Sequence, residues 1–325
     1  MFRTEALNAI ETMNNLGKNK NPFLFVIDFE MKMPVVMKLS NVGKNILYKV
    51  DEAKNFTGLS EKRPALRFEK FPLGYDSYLK AFEKVVYNIK NGNTYLLNLT
   101  FPTKIQTNYT LEEIYNFSNA RYKLYFDNKF VVFSPETFIK INNSKIFSCP
   151  MKGTIDASID NAEEKLLNDE KELAEHNTIV DLIRNDLSIV SKNVKVENFR
   201  YVEEVRTSNK TLLQTSSSIC GELKDNFNET IGTIIFSLLP AGSISGAPKK
   251  KTVDIIRETE IYSRNYFTGV FGIFDGINLD SAVMIRFIEN IGGEFYFKSG
   301  GGITFMSKPE LEYQEMIDKV YVPII

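Results

Sequence analysis

Two E-x-x-E pairs carry the residue types and spacing best suited to chemistry. Glu172 and Glu175 lie in KELAEHNTIVDLIRNDL, and Glu312 and Glu315 lie in PELEYQEMIDK. On a helix, positions i and i+3 share a face. The first pair continues into Ile179, Ile183 and Val190, an apolar stripe, so its carboxylates extend the inward side of the helix. Four converging carboxylates would repel unless a divalent cation held them. Oxygen-only ligands select Mg2+ or Mn2+ over zinc. The same spacing also suits two solvated charged faces, and spacing alone leaves both readings open.

Three further groups stand out. Lys152, in Cys149-Pro150-Met151-Lys152-Gly153-Thr154, follows a strand pattern. In a closed apolar site its amine would be neutral and nucleophilic; at an open strand end it would simply reach solvent. Ala241-Gly-Ser-Ile-Ser-Gly-Ala-Pro-Lys249 lacks the GK[ST] ending of a phosphate loop, yet Pro248 suits the first position of a helix. Ser299-Gly300-Gly301-Gly302 follows another strand, where backbone N–H groups can cradle a carboxylate or merely form a turn. Tyr266 and Arg286 fall on what read as neighbouring strands. An arginine within the apolar run VMIRFI needs an anion, either a protein carboxylate or a ligand.

Composition narrows the chemistry. The chain has 325 residues, 40 Lys+Arg against 41 Asp+Glu, and a formal net charge of −1, which excludes a globally basic nucleic-acid binder. Its two cysteines, Cys149 and Cys220, cannot build a disulfide framework or a CxxC zinc pair. A single histidine, His176, argues against zinc sites and histidine triads, and leaves acid–base work to Glu, Asp, Lys or Tyr. No apolar stretch reaches the ~18–20 residues that span a bilayer, and the N-terminus lacks an apolar signal core. The expectation is a cytoplasmic enzyme with neither nucleic acid nor membrane as partner.

The elements that must position these residues follow from periodicity. Residues 1–60 read as strands, led by the buried run Phe23–Phe29. Tyr75, Tyr78, Leu79, Phe82, Val85, Val86 and Ile89 mark an amphipathic helix that Asn91-Gly92 ends. Strands follow through Ser148, then one helical stretch over 161–190, strands over 194–223, helices over 228–239 and 248–260, three more strands and a terminal helix near Pro309. Strand runs and helix runs are partly segregated, which gives an α+β class.

In this order the segments resemble the chorismate-utilising enzymes, a family that includes anthranilate synthase component I, aminodeoxychorismate synthase component I, isochorismate synthase and salicylate synthase. The matching pieces are Gly92-Asn-Thr-Tyr-Leu-Leu-Asn-Leu-Thr100, Ser134-Pro-Glu-Thr-Phe138, PMKGT, AEHNTIVDLIRNDL, GSISGAPK, the Tyr266…Gly269…Gly272 strand, Ile285-Arg286, SGGGI and P-x-x-E-x-x-E-x-x-x-K from Pro309 to Lys319. They span roughly residues 75–320. The resemblance implies an α/β sandwich of two packed antiparallel sheets with outer helices. It implies an N-terminal part over 1–60 that is shortened relative to the family, which leaves open whether a tryptophan site remains, and a chorismate-binding catalytic domain over 61–325.

The resemblance also implies roles. Mg2+, held by Glu175 and Glu315 with Glu172 and Glu312 in support, would take the ring carboxylate of chorismate. Tyr266, Arg286 and the Gly302 amide would hold the enolpyruvyl carboxylate. Ser243 and a Gly153-Thr154 turn would line the site, and Glu136 would protonate the departing C4 hydroxyl. His176, beside Glu175, would be a packing residue or one that supports the metal site from behind its ligands.

A few residues separate the reactions of the family. Lys152 stands where anthranilate and isochorismate synthases usually carry alanine and many aminodeoxychorismate synthases carry lysine. Leu96 stands where isochorismate and salicylate synthases carry a water-activating lysine. Gln214 replaces the histidine with which anthranilate synthases eliminate pyruvate; its amide hydrogen-bonds but is no general base. Ile155-Asp156 and Thr137 depart from common Arg-containing patterns. The resemblance is therefore nearest to the aminodeoxychorismate synthase component I branch. That implies chorismate and ammonia as substrates, a glutamine amidotransferase subunit (component II) as partner, and a place in 4-aminobenzoate and folate synthesis. Anthranilate synthase component I and a weakly catalytic chorismate-binding subunit remain the alternatives.

Overall fold

The computed structural model describes residues 2–56, 64–206 and 211–324. The chain divides into two compact units, each assembled from three separate stretches. The first comprises Met1–Asn41, Glu136–Ser245 and Gly269–Val283; the second comprises Val42–Pro135, Gly246–Thr268 and Met284–Ile325.

Among the described residues, each unit holds one antiparallel sheet of nine strands, so the α+β expectation and its two antiparallel sheets hold. In the first unit the order is Met151–Asp156, Thr211–Glu222, Lys145–Ser148, Thr137–Asn142, Leu279–Val283, Val270–Phe274, Phe23–Ile27 and Val35–Lys38; Lys192–Arg206 also pairs along Thr211–Glu222. FLFVI and VFGIF are buried at every position, which is why they read as continuous apolar runs rather than alternating ones. In the second unit the order is Gly246–Ala247, Leu96–Thr107, Glu294–Ile303, Phe287–Ile291, Phe130–Ser134, Tyr122–Phe126, Ile46–Val50 and Ala53–Lys54, with Phe68–Phe71 also on Leu96–Thr107.

Three local expectations change. The chain begins with a helix, Thr4–Lys18, where strands were expected. Its buried face is Ala6, Ala9, Met13 and Gly17, three small residues and one methionine, which together carry little hydrophobic signal. They allow close packing on the Ile231–Ser237 helix, where a Cβ on Gly232 would lie 2.5 Å from the Ile10 carbonyl oxygen. The 161–190 stretch is two helices, Ala162–Asn168 and Glu170–Val190, because Asp169 turns extended and caps the second. Ser299–Gly302 is no turn: it completes the Glu294–Ile303 strand, paired with Asn98–Phe101. A side chain on Gly300 would collide with the Leu99 carbonyl, so glycine is what lets the backbones pair there. No described helix is long and apolar enough to cross a membrane.

Candidate active site

In the first unit, the Glu170–Val190 helix opens on Asp169, whose carboxylate accepts the Glu172 N–H at 2.9 Å. Its buried face is Glu175, His176, Ile179, Val180, Ile183 and Leu187. Glu175 is thus inward as expected, at 6% exposure. Glu172 is half-buried, and Leu187 takes the place on the stripe expected of Val190, which is half-buried. Glu175 Oε2 lies 3.4 Å from Lys152 Nζ and Oε1 lies 3.6 Å from Lys171 Nζ. Oε1 is buried and has no hydrogen-bond partner.

Lys152 sits within the Met151–Asp156 strand, and its side chain is 20% exposed, so it does not run out to solvent. The ladder to Thr211–Glu222 slips between Lys152, opposite Thr215, and Thr154, opposite Gln214. Gly153 occupies this bulge at φ +73°, which favours glycine. The expected Gly153-Thr154 turn is therefore a bulge in a continuous strand. A Cβ on Gly153 would stand 3.0 Å from Leu166 Cδ1 and 3.3 Å from Glu172 Oε2. The bulge thus brings backbone up to the Glu172 carboxylate. Thr215 Oγ1 donates to the Lys152 carbonyl and fixes the slip.

Glu136 is half-buried and accepts the hydroxyl proton of Ser243, just inside the short Gly242–Ser245 helix. Both line a cavity with Ser148, Pro150, Ile183 and Asp186. His176, fully buried, has Nε2 2.6 Å from Ser217 Oγ. Burial, and then the nearby Arg200 and Lys152 cations, push its pKa down to about 4, so the ring is neutral.

In the second unit, the Pro309–Asp318 helix carries Glu312, at 3% exposure, and Glu315, which is exposed. Lys319 Nζ lies 2.6 Å from Glu315 Oε1 and donates to the Gly300 carbonyl at 2.9 Å. A Cβ on Gly301 would lie 3.4 Å from Glu312 Oε2 and 3.8 Å from Glu315 Oε1. The two carboxylates therefore face a bare stretch of strand. Burial, then their negative charge, raises the pKa of the Tyr78 phenol.

Tyr266 and Arg286 are not on neighbouring strands. Tyr266 lies in the turn before Val270–Phe274, and Arg286 in a bend before Phe287–Ile291 at φ +52°. Phe130 joins the two segments, with its ring centroid 5.0 Å from Tyr266 and 4.9 Å from Phe287. The Arg286 guanidinium donates to the Lys319 carbonyl at 3.3 Å and lies 5.2 Å over the Tyr321 ring. Among the described residues no carboxylate pairs with it, so the structural ion pair is not what this arginine serves. Gly302 pairs with Asn98 on the strand next to the Pro309–Asp318 helix. Leu96 is buried at 3% exposure.

The structure thus gathers Lys152, Glu172, Glu175, Gly153, Thr154 and Gln214 on one helix and two strands. It joins Glu136 to Ser243, and it brings Glu312, Glu315 and Lys319 to Gly301, next to Gly302 on the strand, with Arg286 on the Lys319 carbonyl. Sequence reasoning gave no role to Lys171 or Ser217, and quoted Lys319 only as the end of a matching motif. Lys171 and Lys319 each stand four residues from a site glutamate, a spacing that could have found them; nothing in the sequence marks Ser217. Among the described residues, no three His, Cys, Asp or Glu side chains form a metal-holding group.

Known proteins resemble the whole of this arrangement. A Haemophilus influenzae protein named "uncharacterized PabA-like protein" is 48% identical over 324 residues, 100% of this chain and 99% of that protein. Aminodeoxychorismate synthase component 1 of Bacillus subtilis is 32% identical over 266 residues, 77% of this chain and 55% of that protein. The crystal structure of anthranilate synthase component I from Streptococcus pneumoniae superposes with a TM-score of 0.67 at 27% identity, covering 79% of this chain and 59% of that one. The family model described as chorismate binding enzyme matches residues 20–324, across both units and every residue group above, so this chain belongs to that family and is an enzyme that acts on chorismate.

Proposed function

We propose that this chain is the synthase component of an aminodeoxychorismate synthase. It replaces the C4 hydroxyl of chorismate with an amino group, on the branch toward 4-aminobenzoate and folate. The observation that carries this reading is Lys152, held beside Glu175 at 3.4 Å on the strand of Gly153 and Thr154. Two absences of chemistry support it. Leu96, buried and apolar, cannot activate water, and Gln214, opposite Thr154, cannot serve as the base that eliminates pyruvate.

Attack needs the neutral amine, so the Lys152 ammonium first gives one proton to solvent as its contact with Glu175 loosens. Lys152 Nζ then bonds to ring C2. The C1–C2 π pair moves to C1–C6, the C5–C6 pair moves to C4–C5, and the C4 hydroxyl leaves as water with a proton from Glu136. Ammonia adds at C4, the pairs return, and the C2–Nζ bond breaks with its electrons on Lys152. Glu136 recovers its proton from the new ammonium. Ser243, hydrogen-bonded to Glu136, holds that carboxyl in place. Tyr266, Arg286 and the Gly302 amide bind the enolpyruvyl carboxylate; Arg286, which faces no carboxylate among the described residues, has its charge available for it.

The glutamates fit Mg2+ in kind. Glu175 keeps a buried oxygen without a hydrogen bond, and Glu312 and Glu315 face a strand with no side chain at Gly301. Glu175 with Glu172, and Glu315 with Glu312, are the residues proposed to hold it. Bound there, the ion would neutralise the ring carboxylate of chorismate. Ammonia is proposed to come from a glutaminase subunit, because His176, the only histidine, is engaged with Ser217 and leaves no Cys/His pair for glutamine hydrolysis.

The test is the product formed from chorismate and high ammonium. Aminodeoxychorismate gives 4-aminobenzoate once a separate lyase is added. Fluorescent anthranilate instead, or no product, would sink the reading.

A further inference from the structure

Ser217 is a junction of three segments in the first unit. The Lys192–Arg206 ladder slips between Asn198 and Tyr201, which takes the Arg200 N–H off the regular pairing. That N–H donates to Ser217 Oγ at 2.9 Å instead. The Ser217 N–H donates to the Pro150 carbonyl at 3.1 Å, two residues before Lys152. Ser217 Oγ also meets His176 Nε2 at 2.6 Å, one residue after Glu175. All of this is dry: His176 and Ser217 are both 0% exposed. The Phe199 ring packs edge-on to the imidazole, with centroids 5.6 Å apart. Arg200 reaches back to the Leu166 and Leu167 carbonyls at 2.9 and 2.6 Å, the end of the helix that leads into Glu170–Val190.

We propose that His176 is a positioning residue: through Ser217 it locks the turn of helix that carries Glu175 to the strand that carries Lys152, and so sets the distance between those two groups. A hydroxyl that accepts one N–H and meets a ring nitrogen has its orientation fixed from two sides. Without the imidazole nitrogen, the Lys152–Glu175 contact at 3.4 Å must hold its own spacing, with no hydrogen bond from His176 behind it. A helix can then rotate or slide by a fraction of an ångström, and site geometry is sensitive to shifts of that size. The activity readout rests on the reaction proposed above; the labelling readout does not.

The test compares His176→Phe, which keeps a ring and removes its nitrogens, with Ser217→Ala, the double variant, and His176→Gln, whose amide can reach Ser217. Two quantities are measured on the full chain. One is kcat and KM for chorismate with ammonium. The other is the rate at which limiting acetic anhydride labels Lys152 relative to exposed Lys250, mapped by mass spectrometry. His176→Phe and Ser217→Ala should each lower kcat about tenfold with KM nearly unchanged. The double variant should be no worse than either alone. The Lys152 labelling ratio should rise several-fold in all three and return toward wild type in His176→Gln. Unchanged kcat and labelling ratio, even with a lower melting temperature, would make His176 a packing residue only and overturn the proposal. Additive losses in the double variant would do the same. Should the wild type make no aminodeoxychorismate, the reaction reading fails while the labelling ratio still decides this one; should His176→Phe not fold, Ser217→Ala and His176→Gln carry it.

Discussion

Replacing Lys152 separates its structural share from its chemical one. At 3.4 Å from Glu175, the ammonium contributes a gross attraction of about 5 kcal/mol at an effective dielectric of about 20. Desolvation of a carboxylate that is 6% exposed offsets much of this. Removing one member of a buried pair typically costs about 3–5 kcal/mol, because the other charge is left uncompensated. Here Lys171 remains at 3.6 Å on the second oxygen of Glu175, so the loss should fall to about 1–2 kcal/mol. Lys152→Met, which also keeps the apolar stem, should therefore stay folded, with a modestly lower denaturant midpoint. Its kcat should fall about 100-fold or more, as for loss of a reacting group. Lys152→Arg should not restore it, since guanidinium stays protonated. The assays are urea unfolding, coupled formation of 4-aminobenzoate, and intact mass after quenching with chorismate and no ammonia. The wild type should gain mass and Lys152→Met should not. Wild-type kcat in Lys152→Met would refute the nucleophile, and the choice of reaction would then rest on Gln214 alone.

Arg286→Ala should cost about 2–5 kcal/mol in transition-state stabilisation, read as a fall in kcat/KM, because this guanidinium meets a carbonyl and a ring but, among the described residues, no carboxylate; unchanged kcat/KM would return it to a structural role. Glu315→Gln, at an exposed helix position, should leave stability nearly intact and raise the Mg2+ needed for half-maximal activity, and full activity in EDTA would remove the metal from the scheme. Gly153→Ala should lose about 1–2 kcal/mol of stability for a side chain at φ +73°, measured by chemical unfolding. Lys123 donates to the Tyr115 and Ser118 carbonyls, and burial, then Lys49 and Lys54, push its pKa down to about 8. The free value is about 10.4, so between the two the unfolded chain holds the extra proton and native stability rises with pH. Relative to Lys123→Met, the wild type should gain about 3 kcal/mol from pH 8 to pH 10.5, and a pH-independent difference would contradict the burial argument.

What could be read from the sequence was whatever one element determines by itself. Glu175 falls inward because it shares a helical face with Ile179 and Ile183, and that face is set within one helix. The continuous apolar runs announced central strands for the same reason. The N-terminal helix escaped because its buried face is made of Ala6, Ala9 and Gly17, whose fit depends on a glycine more than 200 residues away. The glycine run at 300–302 looked like a turn because only the partner strand makes bare backbone necessary there. Arg286 stood evenly between a protein and a ligand anion; whether any carboxylate reaches it depends on segments that the local pattern does not name.

The same limit bears on the proposed choice of reaction, which rests on residue types set against the family resemblance and not on geometry. Lys152 and Gln214 are 62 residues apart in sequence. The ladder puts Thr154 opposite Gln214 and Lys152 opposite Thr215, with the slip at Gly153 between them. The residue replacing the eliminating base and the residue offered as nucleophile therefore lie within two rungs of one strand pair. A change at either alters a neighbour of the other while the ladder itself stays paired through backbone groups. Under the proposed reaction, side-chain identity at these rungs would vary the chemistry with little cost to the fold, provided that position 153 remains glycine and Thr215 keeps its bond to the Lys152 carbonyl.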